Sequence, residues 1–450
     1  MYKIYRPPVV KASLSHRIPE PGVSRLGLAI CRLFGRLYLY FFIGMARITL
    51  LGDDLLFDSF RKTLSGESRS IFAFRHPNGG EPQILTWFFL FRLKRYAGKK
   101  NIRFARPPHA LFVYGYEVIN WGGWPARFIM PKLGAMPVHH ATIDRQGMNR
   151  IIKAIVDGPY PLALAPEGQV SYTFDSVPRL EPGAVRLGFL AAEQLENNGS
   201  GRPVEILPLS VHLRYGRRGE AAMGKLLGKI EEASGLSGGN REELSFTERL
   251  RQCRNCILEV NEARYNIKPD GSVPFEERLG LVINAALETG ERMAGLKSEG
   301  ELIPRMYRLR QYCWDRIFIP GEESLDDMPQ IERSVKDLRA GEGWYAARHQ
   351  EIVDFCWYFR GPIPPEEALL HNRIEYVQNL WDFANRTMGG AFADRKIIYP
   401  RRVIIHAAPA INLSEKLPSF RTDKKAAVSE TLEELEKAYL KSIEEANRLL

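Results

Sequence analysis

The sequence predicts an α/β protein in which a mixed sheet is flanked by helices. It also predicts an N-terminal interfacial helix and a large all-helical insertion. Three observations carry this. Between residues 68 and 215, short apolar runs alternate with helical patterns, as in a sheet covered by helices. From about 242 to 388 the texture is helical, punctuated at Pro269–Gly271, Pro320–Gly321 and Gly361–Pro365. Then Arg402-Val403-Ile404-Ile405-His406 reads as a strand again, so the helical stretch interrupts a discontinuous domain.

Taken in order, residues 1–57 form a basic arm followed by an amphipathic helix. Pro7, Pro8, Pro19 and Pro21 make the arm extended. Residues 58–215 form the α/β core, with strands expected at 70–76, 101–105, 134–139, 161–165 and 204–213. Helices are expected at 82–95, 145–157 and 181–196. The first of these has Glu81 at its cap and Pro82 at its first helical position, where a missing N–H costs nothing. Residues 216–395 form the insertion, opening on the glycine-rich 234–239. Residues 396–450 return with a strand and a final helix. Val428, Leu432, Leu435, Tyr439, Ser442, Ala446 and Leu449 share one face of that helix.

The chain has 450 residues, 45% of them hydrophobic, and a formal charge of +10. Much of that charge is at the front. Residues 1–50 hold eight basic side chains and one acid, Glu20. Such asymmetry suggests nucleic acid or an anionic membrane surface. The segment Leu26 to Leu51 is rich in Leu, Ile, Phe and Tyr, and its longest uncharged run, Leu37 to Ala46, is ten residues. That is well short of the ~20 a spanning helix needs. Read as one helix, it gathers Arg25, Arg32, Arg36 and Arg47 within an arc of roughly 60°. This is the build of a helix lying in the interface of a membrane, and it is too charged and too late for a secretory signal. No nucleic-acid recognition motif accompanies the charge. The five cysteines are odd in number and scattered, which fits a reducing compartment.

Two motifs carry the chemistry. His76-Pro77-Asn78-Gly79-Gly80-Glu81 follows the apolar run Ile71–Phe74, and Pro166-Glu167-Gly168-Gln169-Val170-Ser171 follows Leu162–Ala165. Strand ends are where α/β proteins build sites. An imidazole is a useful general base near neutral pH, and a carboxylate on its far nitrogen fixes the tautomer. The turn residues Pro77 to Gly80 would bring Glu81 back to His76. The bare spacing is weak: His139…Asp144 and His349…Asp354 share it. His76 is preferred for its strand end, glycine turn and following helix.

Together these features resemble the glycerolipid acyltransferase family that includes lysophosphatidate acyltransferase and tafazzin. That family has a His-x4-Asp motif, then Phe-Pro-Glu-Gly after a strand, then a proline-containing strand. Here the matching residues are His76 and Glu81, then Ala165-Pro166-Glu167-Gly168, then Ile206-Leu207-Pro208-Leu209. Gln146-Gly147-Met148 and Pro166–Val170 look most like the tafazzin branch, and 402–406 with Ala407–Ala410 resembles the strand closing the family's domain. The resemblance covers about 68–215 and 396–420. Glu81 stands for the usual Asp, as in the lipid A secondary acyltransferases. Val170 stands where many members have Arg, and His140 near the place of a second phosphate-binding Arg.

The resemblance implies an O-acyltransferase with no cofactor and no metal, on the cytoplasmic face of a membrane as a monotopic or peripheral protein. Its partners would be an anionic membrane surface, an acyl thioester of CoA or acyl carrier protein as donor, and a glycerolipid or lysolipid acceptor. It implies that His76 deprotonates the acceptor hydroxyl, Glu81 orients His76, and Glu167, Gly168 and Gln169 bind the acceptor. A phosphate on the acceptor would fall to Arg145, with Arg127, Lys132 and Arg179 as further candidates. Trp87, Phe88, Phe89 and Phe91 could line an acyl slot or serve as core. The rival reading is a catalytically silent membrane-surface scaffold of the same fold.

Overall fold

The computed structural model describes residues 10–15, 20–139, 144–236, 238, 243–268, 270–319, 324–359, 361–391, 394–400 and 402–450, with backbone alone at 121, 124 and 125. Its strands are β1 (Ser13–Leu14), β2 (Arg47–Leu51), β3 (Arg69–Phe74), β4 (Leu111–Gly115), β5 (Met136–Val138), β6 (Leu162–Leu164), β7 (Val204–Arg214), β8 (Phe318–Ile319), β9 (Arg402–Ala407) and β10 (Ile411–Asn412). The chain divides into two compact units, one of residues 18–214 and 399–450, the other of 1–17 and 215–398.

The first unit is a mixed sheet flanked by helices, in the order β2-β9-β7-β3-β6-β4-β5 with β10 also beside β7. Strands β3 to β7 run parallel, β9 is antiparallel to β7, and β2 is parallel to β9. Side chains alternate across β3. Ile71 and Ala73 join the core beneath the helices Arg145–Asp157, Gly183–Asn197 and Lys424–Asn447. Phe72 faces the other layer, edge-on to Phe60 and Phe89 at ring-centroid distances of 4.9 and 5.9 Å. Every residue of β3 is buried, as a strand covered on both faces must be.

Among the described residues, the second unit has no strand besides the short parallel pair β1–β8 and is otherwise helices and their connections. Helix Phe246–Arg264 opens on a serine N-cap: the Ser245 hydroxyl accepts from the Glu248 amide at 3.2 Å. Helix Phe275–Ala294 ends on Gly295 in the left-handed conformation. Ion pairs between buried or half-buried groups tie helices together, Arg278 to Glu262 at 2.6 Å and Arg305 to Glu291 at 2.7 Å.

Three expectations need correction. The strand expected at 101–105 is irregular chain, and the strand is β4, beyond Pro107 and Pro108. Asn101 turns the chain at φ +57, and Ile102 and Phe104 are too few apolar residues to hold an edge. The amphipathic helix runs Arg25–Phe42, stopped by Gly44 at φ +72, so Arg47 belongs to β2 and not to the helical arc. The helix after the first motif starts on Glu81 with Gly80 as cap, and passes into a π-helical turn, Phe88–Leu93, before Lys94–Lys99. Helices Asp53–Ser65, Glu117–Trp121 and Gly123–Lys132 were not anticipated.

The Arg25–Phe42 helix meets its own unit along one side only. Leu28 and Leu39 are buried, and Gly35 lets the backbone close on Trp87, where a Cβ would sit 2.4 Å from the ring. Leu26, Ile30, Leu33, Phe34, Leu37 and Phe41 are exposed, Leu33 and Phe41 each by 70%. At about 100° per residue they share an arc of roughly 100°, with exposed Arg25, Arg32 and Arg36 along one flank. Among the described residues, no helix is long and apolar enough to cross a membrane.

Burial also sets a pH response. His109 is fully buried, its Nε2 donating to the Leu133 carbonyl at 2.7 Å. Desolvation pushes its pKa from 6.5 down to about 4. Between those values the unfolded chain binds the proton and the folded one does not. Stability present above pH 6.5 is therefore lost as the pH falls through about 4, on the order of 3 kcal/mol from this residue. Urea midpoints of the parent and His109→Gln, compared at about pH 7 and about pH 4.5, should show a flatter dependence in the variant.

Candidate active site

Strands β3 and β6 are parallel neighbours, with Ala73 in register with Leu164. The two motifs that leave them therefore emerge side by side at one end of the sheet. His76 Nδ1 lies 2.6 Å from Glu81 Oε2. The same oxygen accepts the Gly79 amide at 2.9 Å. The turn that achieves this needs glycine, because Gly79 sits at φ +96. Glu81 is fully buried, and its side chain is held from two sides. The His76 side chain is 17% exposed. With Nδ1–H given to Glu81, the neutral imidazole carries its lone pair on Nε2, and no described residue bonds that nitrogen. Phe74 stands edge-on to the ring at 5.6 Å.

The second motif holds the first from behind. Glu167 Oε2 accepts the His76 backbone amide at 2.9 Å, and Oε1 faces Arg75 Nε at 3.4 Å. The Glu167 carboxylate is 1% exposed, and both its oxygens face groups of the first motif. Gly168, at φ +74, closes the turn by donating to the Ala165 carbonyl at 3.1 Å. The Ser171 amide donates to the His76 carbonyl at 2.9 Å, so the two loops are stitched together. Gly168 and Gln169 are half-buried beside this seam.

Arg75 is the residue that sequence reasoning missed. Its guanidinium is fully buried and donates to the carbonyls of Phe174, Thr173 and Ser176 at 2.8, 2.9 and 2.7 Å. It clamps the loop after the second motif onto the end of β3. The available signal was a charged residue directly after five apolar or small strand positions, Ser70–Phe74, since a buried charge persists only when paired.

The other expected residues lie farther off. Arg145 is exposed at the first position of the helix Arg145–Asp157, which follows β5, the last strand in the sheet order. Arg127 donates to the carbonyls of Ile119 and Asn120, Lys132 lies over the Phe128 ring, and Arg179 is exposed. His140 falls outside the described residues. Phe88 and Phe89 are core, whereas Trp87 and Phe91 stack at 5.2 Å and line a cavity.

Neither rival spacing joins a ring to its acid. The Asp144 carboxylate caps a helix and meets only the backbone amide of His139, at 3.3 Å. His349 bonds Tyr265, while Asp354 pairs with Arg310. A Ser442–His406–Glu445 chain has hydrogen-bond distances of 2.6 and 2.9 Å. Ser442, however, is 1% exposed and gives its proton to the Ala438 carbonyl, so it is no nucleophile. Burial lowers the His406 pKa, with Glu445 opposing. Among the described residues, no group of three His, Cys, Asp or Glu side chains could hold a metal. In comparisons with known proteins, no family model matches the chain and no curated protein is significantly similar to it.

Proposed function

We propose that this protein is an O-acyltransferase of the glycerolipid acyltransferase type, working at a membrane surface. The observation that carries the proposal is the His76–Glu81 pair, 2.6 Å apart, in a ring that is 17% exposed and whose Nε2 is bonded by no described residue. His76 Nε2 takes the proton of an acceptor hydroxyl as the oxygen attacks a thioester carbonyl. The tetrahedral intermediate collapses to the ester, and the leaving thiolate recovers the proton from the imidazolium. Glu81 holds the tautomer and stabilises the imidazolium while it lasts. Glu167 is a positioning residue, fixing the His76 backbone. The exposed apolar face of Arg25–Phe42 supports the membrane assignment. Ile43, just past that helix, packs over Gly80, 3.4 Å from where a Cβ would be, which sets the end of the helix against the turn that holds the base.

The test is incubation of purified protein with a labelled acyl-CoA or acyl carrier protein donor and a panel of lysolipids. Appearance of diacyl product is expected. Vesicle binding without transfer to any acceptor would replace this reading with the silent scaffold.

A further inference from the structure

Strands β2 and β9 begin at the same end of the sheet as the site, because β9 runs antiparallel to β7 and places Arg402 opposite Arg214. In the parallel pair β2–β9, Arg47 stands in register with Arg402. Neighbouring strands are about 4.8 Å apart, and two like charges at such a position repel. Arg92, from the π-helical turn, joins them. The three side chains line one open cavity of about 440 Å³ with Ala46, Ile48 and Thr49. Arg402 bonds the Thr49 hydroxyl at 3.2 Å. Among the described residues, no carboxylate pairs with any of the three. Three arginines lining one cavity without an acid call for an anion with several oxygens, and phosphate suits the guanidinium fork.

A second cavity of about 300 Å³ shares Ala46, Ile48 and Arg92 with the first. Its other walls are largely apolar or aromatic: Tyr40, Met45, Trp87 and Phe91, with Arg36 at the side. Tyr40 belongs to the helix whose neighbouring face is exposed and apolar. Cationic cavity, greasy cavity and greasy helix face are thus contiguous, a sequence of environments that matches an amphiphile from headgroup to chain. The geometry points to a binding site for the phosphate headgroup of an anionic membrane phospholipid, with Arg47, Arg92 and Arg402 on the phosphate and the apolar cavity on the upper chain. This rests on the membrane-surface half of the proposed function and is independent of the acyl-transfer half. The site is distinct from His76, which lines neither cavity, and it serves to seat the protein on the bilayer.

The test is flotation of the full-length protein with vesicles of phosphatidylcholine alone or with phosphatidylglycerol added. The variant Arg47→Gln/Arg92→Gln/Arg402→Gln is compared with a control of equal charge change at exposed positions, Arg103→Gln/Arg106→Gln/Arg186→Gln. The cavity variant should lose affinity for the anionic vesicles by roughly fivefold per arginine, about a hundredfold in all, with the control changed far less. Arg92→Gln alone should show its share and guards against misfolding of the triple variant. Equal losses in both triple variants would reduce the site to diffuse charge and overturn the proposal. So would competition by free glycerol phosphate at concentrations that strip the protein from vesicles, which would mark a soluble-anion site. Vesicle binding that depends on these arginines in a protein without acyl transfer would sink the catalytic reading and leave this one standing. No binding to either vesicle would sink the membrane assignment and this site together.

Discussion

Replacement of His76 by alanine is expected to lower acyl transfer by roughly 10²–10⁴-fold, the usual contribution of a positioned general base. The fold should survive, because the ring is partly exposed and its Nδ1 bonds a single described side chain, that of Glu81. Glu81→Gln keeps an oxygen that can accept from Nδ1 but removes the charge that stabilises the imidazolium, so an intermediate loss is expected. Residues that act as a unit are non-additive. The double variant should therefore be no slower than His76→Ala. Turnover of each variant with one thioester donor checks this, with far-ultraviolet circular dichroism as the control for folding. Near-parental turnover by His76→Ala would remove the base from the mechanism, whatever the fate of the membrane assignment.

The second large effect belongs to Arg75. Its guanidinium carries three carbonyls and faces the buried carboxylate of Glu167. Arg75→Met would leave that carboxylate without its charge partner and the carbonyls without donors. Breaking a buried pair in this way costs about 3–5 kcal/mol. Arg75→Lys should recover little, because one ammonium cannot reproduce the planar fork. Glu167→Gln should cost less, since an amide oxygen can still accept from the His76 backbone amide. Urea denaturation of the three variants gives the order, and a Met variant as stable as the parent would refute the clamp.

The motifs were legible because their signals are local. A buried apolar run, a glycine turn and a proline at the start of a helix are written in consecutive residues. The same holds for the helix at 145–157 and for the apolar face of the last helix. The expected strand at 101–105 failed for the complementary reason. Its few apolar residues resemble a strand in isolation, yet the sheet recruited Leu111–Gly115, whose Leu111 and Phe112 pair with Leu162 and Ala163 of β6. The amphipathic helix was read too long because Met45 to Leu51 is apolar enough to continue it, while Gly44 and the pairing of β2 with β9 decided otherwise.

By itself, the sequence determined where the chemistry-bearing residues sit relative to strands, turns and caps, since those depend on neighbours a few residues apart. Only the tertiary structure decided which of them meet. Pairing of β3 with β6 brings the Glu167 carboxylate to the His76 amide and buries it there. Pairing of β2 with β9, and the turn of the helix at Arg92, gather arginines that no spacing connects. The physical reason is that strand adjacency is settled by burial of whole faces across the fold, and periodicity along a chain carries no record of it.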